Sequence, residues 1–107
     1  MGTRAPATIE VLHWEGCPSL DETLALLDDV LREHGVQAEI QVRHIGTDED
    51  AVAADFHGSP TVRVDGHDVD PVGAASQRVA LACRIYHLPD GRVSPVPSRT
   101  MLEEALE

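Results

Sequence analysis

Hydrophobic and polar positions change period several times along the chain, and each change marks an element. From Thr8 to His13, one side carries Ile9, Val11 and His13 and the other Thr8, Glu10 and Leu12, the mixed pattern of a strand near the middle of a sheet. Leu20, Leu24, Leu27 and Leu31 then recur at i, i+4, i+7 and i+11, with Asp21, Asp28, Arg32 and Glu33 largely off that stripe. This spacing predicts an amphipathic helix to about His34, stopped by Gly35. Two starts suit it: Ser19 with Glu22 as a capping box, or Cys17 as the cap with Pro18 at the first helical position. Alternation returns from Ala38 to Ile45 through Glu39, Ile40, Gln41, Val42 and Arg43. A strand–helix–strand unit of this length calls for parallel pairing and a right-handed crossover.

Thr47 followed by Asp48-Glu49-Asp50 predicts a capped, acidic first turn for a short helix through Ala51 to Ala54 and on toward Phe56, ended by Gly58-Ser59-Pro60. Thr61 to Val64 and His67 to Asp70 read as strands around the hairpin signal Asp65-Gly66. Residues 71–79 show no clear period and read as a loop or a broken helical turn. Leu81 to Leu88 reads as an extra strand or extended loop, with Cys83, Ile85 and His87 on one face and Arg84 and Tyr86 on the other. After Pro89-Asp90-Gly91 and Pro95-Val96-Pro97, a last helix capped near Ser98 packs through Met101, Leu102, Ala105 and Leu106. The expectation is one α/β domain over residues 1–107: a mixed sheet of four or five strands flanked by three helices, with residues 1–7 flexible.

Composition narrows the function classes. At 107 residues with 42% hydrophobic content, the chain can bury one modest core. A formal net charge of −11 repels nucleic-acid backbones and anionic membranes, so neither is expected as a partner. There is no apolar run of membrane-spanning length, and Met1 to Ala7 lacks the apolar core of a secretory signal, which points to a cytoplasmic protein. No glycine-rich phosphate loop or Ser-His-Asp order stands out, and no cofactor is expected. Two cysteines do not make a disulfide scaffold, so in a reducing cytosol they rest as thiols.

Candidate chemistry gathers at the seam between the first strand and the first helix, His13 to Leu20. A thiol at Cys17 lies near the positive end of a helix, where N–H groups favour thiolate, the reactive form, while Glu15, Asp21 and Glu22 oppose it. His13, four residues earlier, either raises the thiolate fraction or simply ends the strand. Cys83 reads most simply as a small buried hydrophobe. The sharper alternative brings it to Cys17 as a resolving thiol, or as half of a two-thiolate clamp for Hg(II) or Cu(I). The other histidines show no zinc-ligand spacing with one another.

Trp14 and Cys17-Pro18 at the junction, with Gly58-Ser59-Pro60-Thr61 before the third strand, resemble the thioredoxin superfamily over roughly Thr8 to Leu106. The narrower likeness is to small bacterial thioredoxin-like proteins with a Gly-Cys-Pro junction and a Gly-Ser-Pro-Thr-(Ile/Val)-Arg-Val-Asp-Gly segment, here Gly58 to Gly66. Some of these are named after alkylmercury lyase, whose chemistry would need paired thiolates and an acid such as Asp21. The resemblance implies a cis Pro60 against Cys17, a Ser59 backbone open to an extended thiol substrate, and a docking groove shaped by Trp14, Pro18, Ser59, Pro60 and Thr61. One departure is decisive. Leu20 stands where a dithiol thioredoxin has its second cysteine, so no neighbouring thiol resolves a mixed disulfide. The expectation is monothiol redox chemistry or thiol capture by Cys17, acting on a thiol or disulfide of a small molecule or protein. The alternatives are soft-metal or organomercurial binding by Cys17 and Cys83, and a redox-inactive interaction module. Oligomeric state is left open.

Overall fold

The computed structural model describes residues 6–107. Its central strand, β1 (Ala7–His13), pairs in parallel with β2 (Ala38–His44) and antiparallel with β3 (Thr61–Val64), which pairs antiparallel with β4 (His67–Asp68). The resulting four-stranded mixed sheet has the order β2-β1-β3-β4. Between β1 and β2 runs α1 (Leu20–His34), and α2 (Asp48–Ala53) links β2 to β3.

One face of β1 is apolar from Ala7 to Val11, and the other is buried only at Leu12. Ile9 and Val11, with Val62 and Val64 of β3, pack against Leu27, Val30 and Leu31 of α1 and against Leu102 and Leu106 of the C-terminal segment. That segment contains α4 (Arg99–Ala105), capped by the Ser98 hydroxyl, which accepts from Met101 N–H at 3.1 Å. Leu12 points the other way, into a second cluster with Ile45, Ala51, Ala54 and Phe56. The sheet thus lies between helices, and the β1–α1 junction emerges at the C-terminal end of its interior strand β1.

Several expectations are corrected. Among the described residues four helices form where three were expected: residues 71–76 make α3 (Pro71–Ser76). Asp70 accepts from Gly73 N–H at 3.1 Å as its cap, and Pro71 sits in its first turn, where a missing N–H costs nothing. This capping role ends β4 at Asp68 rather than Asp70. The Leu81–Leu88 stretch is mostly not strand. Only β5 (Tyr86–His87) forms, paired with β6 (Val93–Ser94) in a separate two-stranded sheet. Its alternation is real but inverted, for Arg84 and Tyr86 are buried while Cys83, Ile85 and His87 are exposed. The start of α1 also differs. The helix begins at Leu20 after Ser19, whose side chain makes no capping bond, so Cys17 is not the cap and Pro18 is not the first helical residue. Of residues 1–7, expected to be flexible, Ala7 already pairs with Ala38, while residues 1–5 lie outside the described residues. Among the described residues, no helix is long and apolar enough to cross a membrane.

Candidate functional site

The junction after β1 is built by a tight turn. Cys17 N–H donates to Trp14 O at 3.1 Å. The Trp14 indole lies so close over Gly16 that a Cβ there would sit 2.3 Å from the ring. Trp14 N–H in turn donates to Ser59 Oγ at 2.9 Å, tying the junction to the loop before β3. There the Ser59–Pro60 peptide is cis, and Thr61 Oγ1 donates to Gly58 O at 2.6 Å. The Cys17 thiol points at this loop and donates to Ser59 O at 3.3 Å, with Ser19 Oγ 3.9 Å away. Cys17 is only 4% exposed.

What covers it is the chain's own segment 82–84. Ser59 N–H donates to Ala82 O at 2.7 Å, and Ser59 O accepts from Arg84 N–H at 2.8 Å, so Ser59 and Cys83 form an isolated parallel bridge. The Ser59 backbone, expected to be open to an extended substrate, is therefore occupied. The same pairing brings Cys83 toward Cys17, and the neighbouring Cys17 side chain, then burial, push the Cys83 thiol upward. Unlike Cys17, Cys83 is exposed. Its reading as a small buried hydrophobe is thus corrected: the alternation of this segment buries Arg84 and leaves Cys83 exposed.

Residues that sequence reasoning missed hold this segment in place. Gln77 spans it, donating from Nε2 to Cys83 O at 2.8 Å and accepting at Oε1 from Ile85 N–H at 3.0 Å. Arg84, 1% exposed, forks onto Asp68 at 2.9 and 3.0 Å and also reaches Asp70 O at 3.0 Å and Thr61 Oγ1 at 3.3 Å. Burial works against its charge, but Asp68, Tyr86 and Asp70 more than offset that and hold the guanidinium above its usual range. The guanidinium lies 4.7 Å from the centre of the Tyr86 ring. The Tyr86 hydroxyl donates to Pro60 O at 2.6 Å, and its burial raises the phenol well above its ordinary value. Gly58 completes the fit. With φ at 109°, it accepts the backbone of Arg84 so closely that a Cβ would lie 2.8 Å from Arg84 Cα. The faint signal for all this was an arginine alternating with an exposed isoleucine.

Of the residues singled out from sequence, Trp14, Cys17, Ser59, Pro60, Thr61 and Cys83 come together, whereas Pro18 lies on the exposed outer side of the turn. Leu20 packs against the α1 core and Asp21 is exposed. His13 turns to His44 across the β1–β2 register, their ring centres 5.3 Å apart. Burial and His44 lower its pKa, with Glu15 opposing. Far from the thiols, ligand atoms of Glu33, His34 and Glu103 lie within 4.8 Å of one another at the surface. Arg99 pairs with both glutamates there, so the cluster already has its cation. No family model, curated protein or solved structure matches this chain.

Proposed function

We propose that this protein performs thiol–disulfide exchange through Cys17 and Cys83, on a thioredoxin-like α/β scaffold whose second thiol has moved from the first helix to the segment facing it. The observation that carries this reading is the pairing of residues 82–84 with Ser59, which sets the exposed Cys83 thiol against the buried Cys17 thiol. The strand order, helices on both sheet faces and the cis peptide before β3 support the scaffold.

Exposure assigns the roles. The Cys83 thiolate attacks one sulfur of an incoming low-molecular-weight disulfide, forming a mixed disulfide and expelling one thiolate, which takes up a proton. Cys17, deprotonated, then attacks the Cys83 sulfur, the second thiolate leaves, and a Cys17–Cys83 disulfide remains. The protein loses two electrons and the small disulfide gains them as two thiols. In reverse, an external dithiol restores the protein. Oxidised glutathione followed by intact mass spectrometry tests the scheme. Wild type should lose two hydrogens without retaining glutathione. Cys17→Ser should trap one glutathione on Cys83, and Cys83→Ser should react far more slowly. Two independent adducts on the wild-type chain would overturn the proposal.

The same convergence favours a second reading. Two thiolates with no third His, Cys, Asp or Glu ligand beside them among the described residues suit linear coordination of a soft cation such as Cu(I) or Hg(II). One equivalent of Hg(II) should bind, and Cys83→Ala should weaken that binding sharply; an unchanged affinity excludes this reading.

A further inference from the structure

The outer edge of the sheet carries a self-complementary pattern. Along β2, the hydrogen bonds Ile45 N–H to His13 O and Ala7 N–H to Gln37 O show that odd-numbered residues turn their backbone groups toward β1. Pairing alternates along a strand, so Ala38, Ile40, Val42 and His44 direct theirs to the open edge. Nothing among the described residues pairs there, since β2 ends the sheet. The strand has no proline and keeps an unbroken register of seven pairs with β1, so it lacks those two common protections of a sheet edge. Ile40 and Val42 share a face with Ile9 and Val11 by register, yet remain 37% and 49% exposed because α1 does not reach them.

We infer that β2 pairs antiparallel with β2 of a second copy of this chain, about a two-fold axis through Gln41. In that register Ile40 lies opposite Val42 of the other copy as a hydrogen-bonded pair, using the outward backbone groups. The non-hydrogen-bonded pairs, whose side chains come closer, are Gln41 with Gln41 and Glu39 with Arg43. The five central pairs are thus apolar with apolar, amide with amide, or acid with base, and at each end Ala38 lies opposite His44. A parallel in-register match instead sets Glu39 against Glu39 and Arg43 against Arg43. The two-fold operation satisfies both copies at once and closes, giving a dimer with one continuous eight-stranded sheet. The net charge of −11 on each chain opposes association, and the two Glu39–Arg43 pairs relieve that repulsion at the contact itself.

Sedimentation equilibrium at about 0.15 M salt, where charges act over roughly 8 Å, tests the inference. Wild type should be dimeric at tens of micromolar. Arg43→Glu, which opposes two acids twice over, should weaken the dimer on the order of tenfold or more. Glu39→Arg combined with Arg43→Glu should restore it. Val72→Lys, at an exposed position elsewhere, should change nothing. Amide exchange gives a second readout: in the dimer the Ile40 and Val42 N–H groups gain protection, whereas Gln41 N–H, bonded to β1, is protected at every concentration. A wild-type monomer at about 100 μM, or a double variant no tighter than Arg43→Glu alone, overturns the inference.

Discussion

Replacing Arg84 by methionine keeps most of the side chain's apolar length and removes its guanidinium. The deletion removes a donor from three acceptors: the Asp68 carboxylate, the Asp70 carbonyl and the Thr61 hydroxyl, which accept from Arg84 at 2.9 to 3.3 Å. Removing one member of a buried ion pair costs about 3–5 kcal/mol, chiefly because the other charge stays behind unpaired. The low end applies here, because Asp68 keeps 13% side-chain exposure and still accepts from Asp70 N–H at 2.8 Å. About 3 kcal/mol is a large share of a domain stability of roughly 5–15 kcal/mol. With a urea m-value of about 1.5 kcal/mol/M, it moves the unfolding midpoint by about 2 M. The double variant Arg84→Met with Asp68→Leu leaves no unpaired charge and should recover part of that loss. Arg84→Lys should fall between wild type and Arg84→Met, since it keeps the charge but not the fork. Urea titrations of the four proteins, read at constant m, decide the matter. A loss below about 1 kcal/mol for Arg84→Met, or a double variant weaker than the single, would refute the reasoning that the pair anchors the Cys83 segment.

Four further outcomes follow from the same geometry. Gly58→Ala forces a Cβ against the Arg84 backbone at a φ of 109°, so it should lower stability by about 1–3 kcal/mol or more and speed alkylation of Cys17 by lifting its cover. Because Cys17 raises the Cys83 thiol, the pH profile of Cys83 alkylation should shift to lower pH in Cys17→Ala; an unmoved profile rejects the contact. Oxidation to a Cys17–Cys83 bond closes a loop of about 67 residues and should stabilise the chain by about 4 kcal/mol in the loop-entropy account, measured as a higher urea midpoint that vanishes with reductant. The lowered pKa of His13 means that the folded chain binds fewer protons there than the unfolded one. Stability should therefore decline as pH falls below about 6.5 and level off beneath the depressed value, and His13→Asn should flatten that decline.

Much of this molecule was legible because local pattern and tertiary demand agree. The Leu20–Leu31 stripe, the Asp65-Gly66 hairpin and the mixed pattern of β1 each have one low-energy arrangement, and each formed in the expected place. The capped helix at residues 71–76 was legible only as a loop or a broken helical turn because its signal is a single cap, Asp70 before Pro71, rather than a repeating stripe. The buried face of residues 83–87 was misread for a stronger reason. Burial there follows a charge pair: Asp68 lies 16 residues before Arg84, and no periodicity within the segment reports a partner at that distance. Apolar pattern alone assigns Ile85 to the core and Arg84 to water, and the ion pair reverses both.

That reversal also bears on the chemistry. A second thiol on the first helix would share the rigid frame of Cys17, and its separation from Cys17 would be fixed by one helical turn. Placed at position 83, it depends instead on the Arg84–Asp68 pair, the Gln77 side chain and the backbone bonds to Ser59. The covering of Cys17 and the approach of Cys83 are then one structural event, because the same residues 82–84 do both. Any opening that exposes Cys17 to an outside disulfide also removes the thiol facing it. In the proposed exchange, Cys83 would meet a small disulfide without such an opening, and Cys17 would react within the closed pair. Under that proposal, exposure rather than proximity to a helix terminus distributes the two roles, and the anchors of residues 82–84 set how strongly the pair is held.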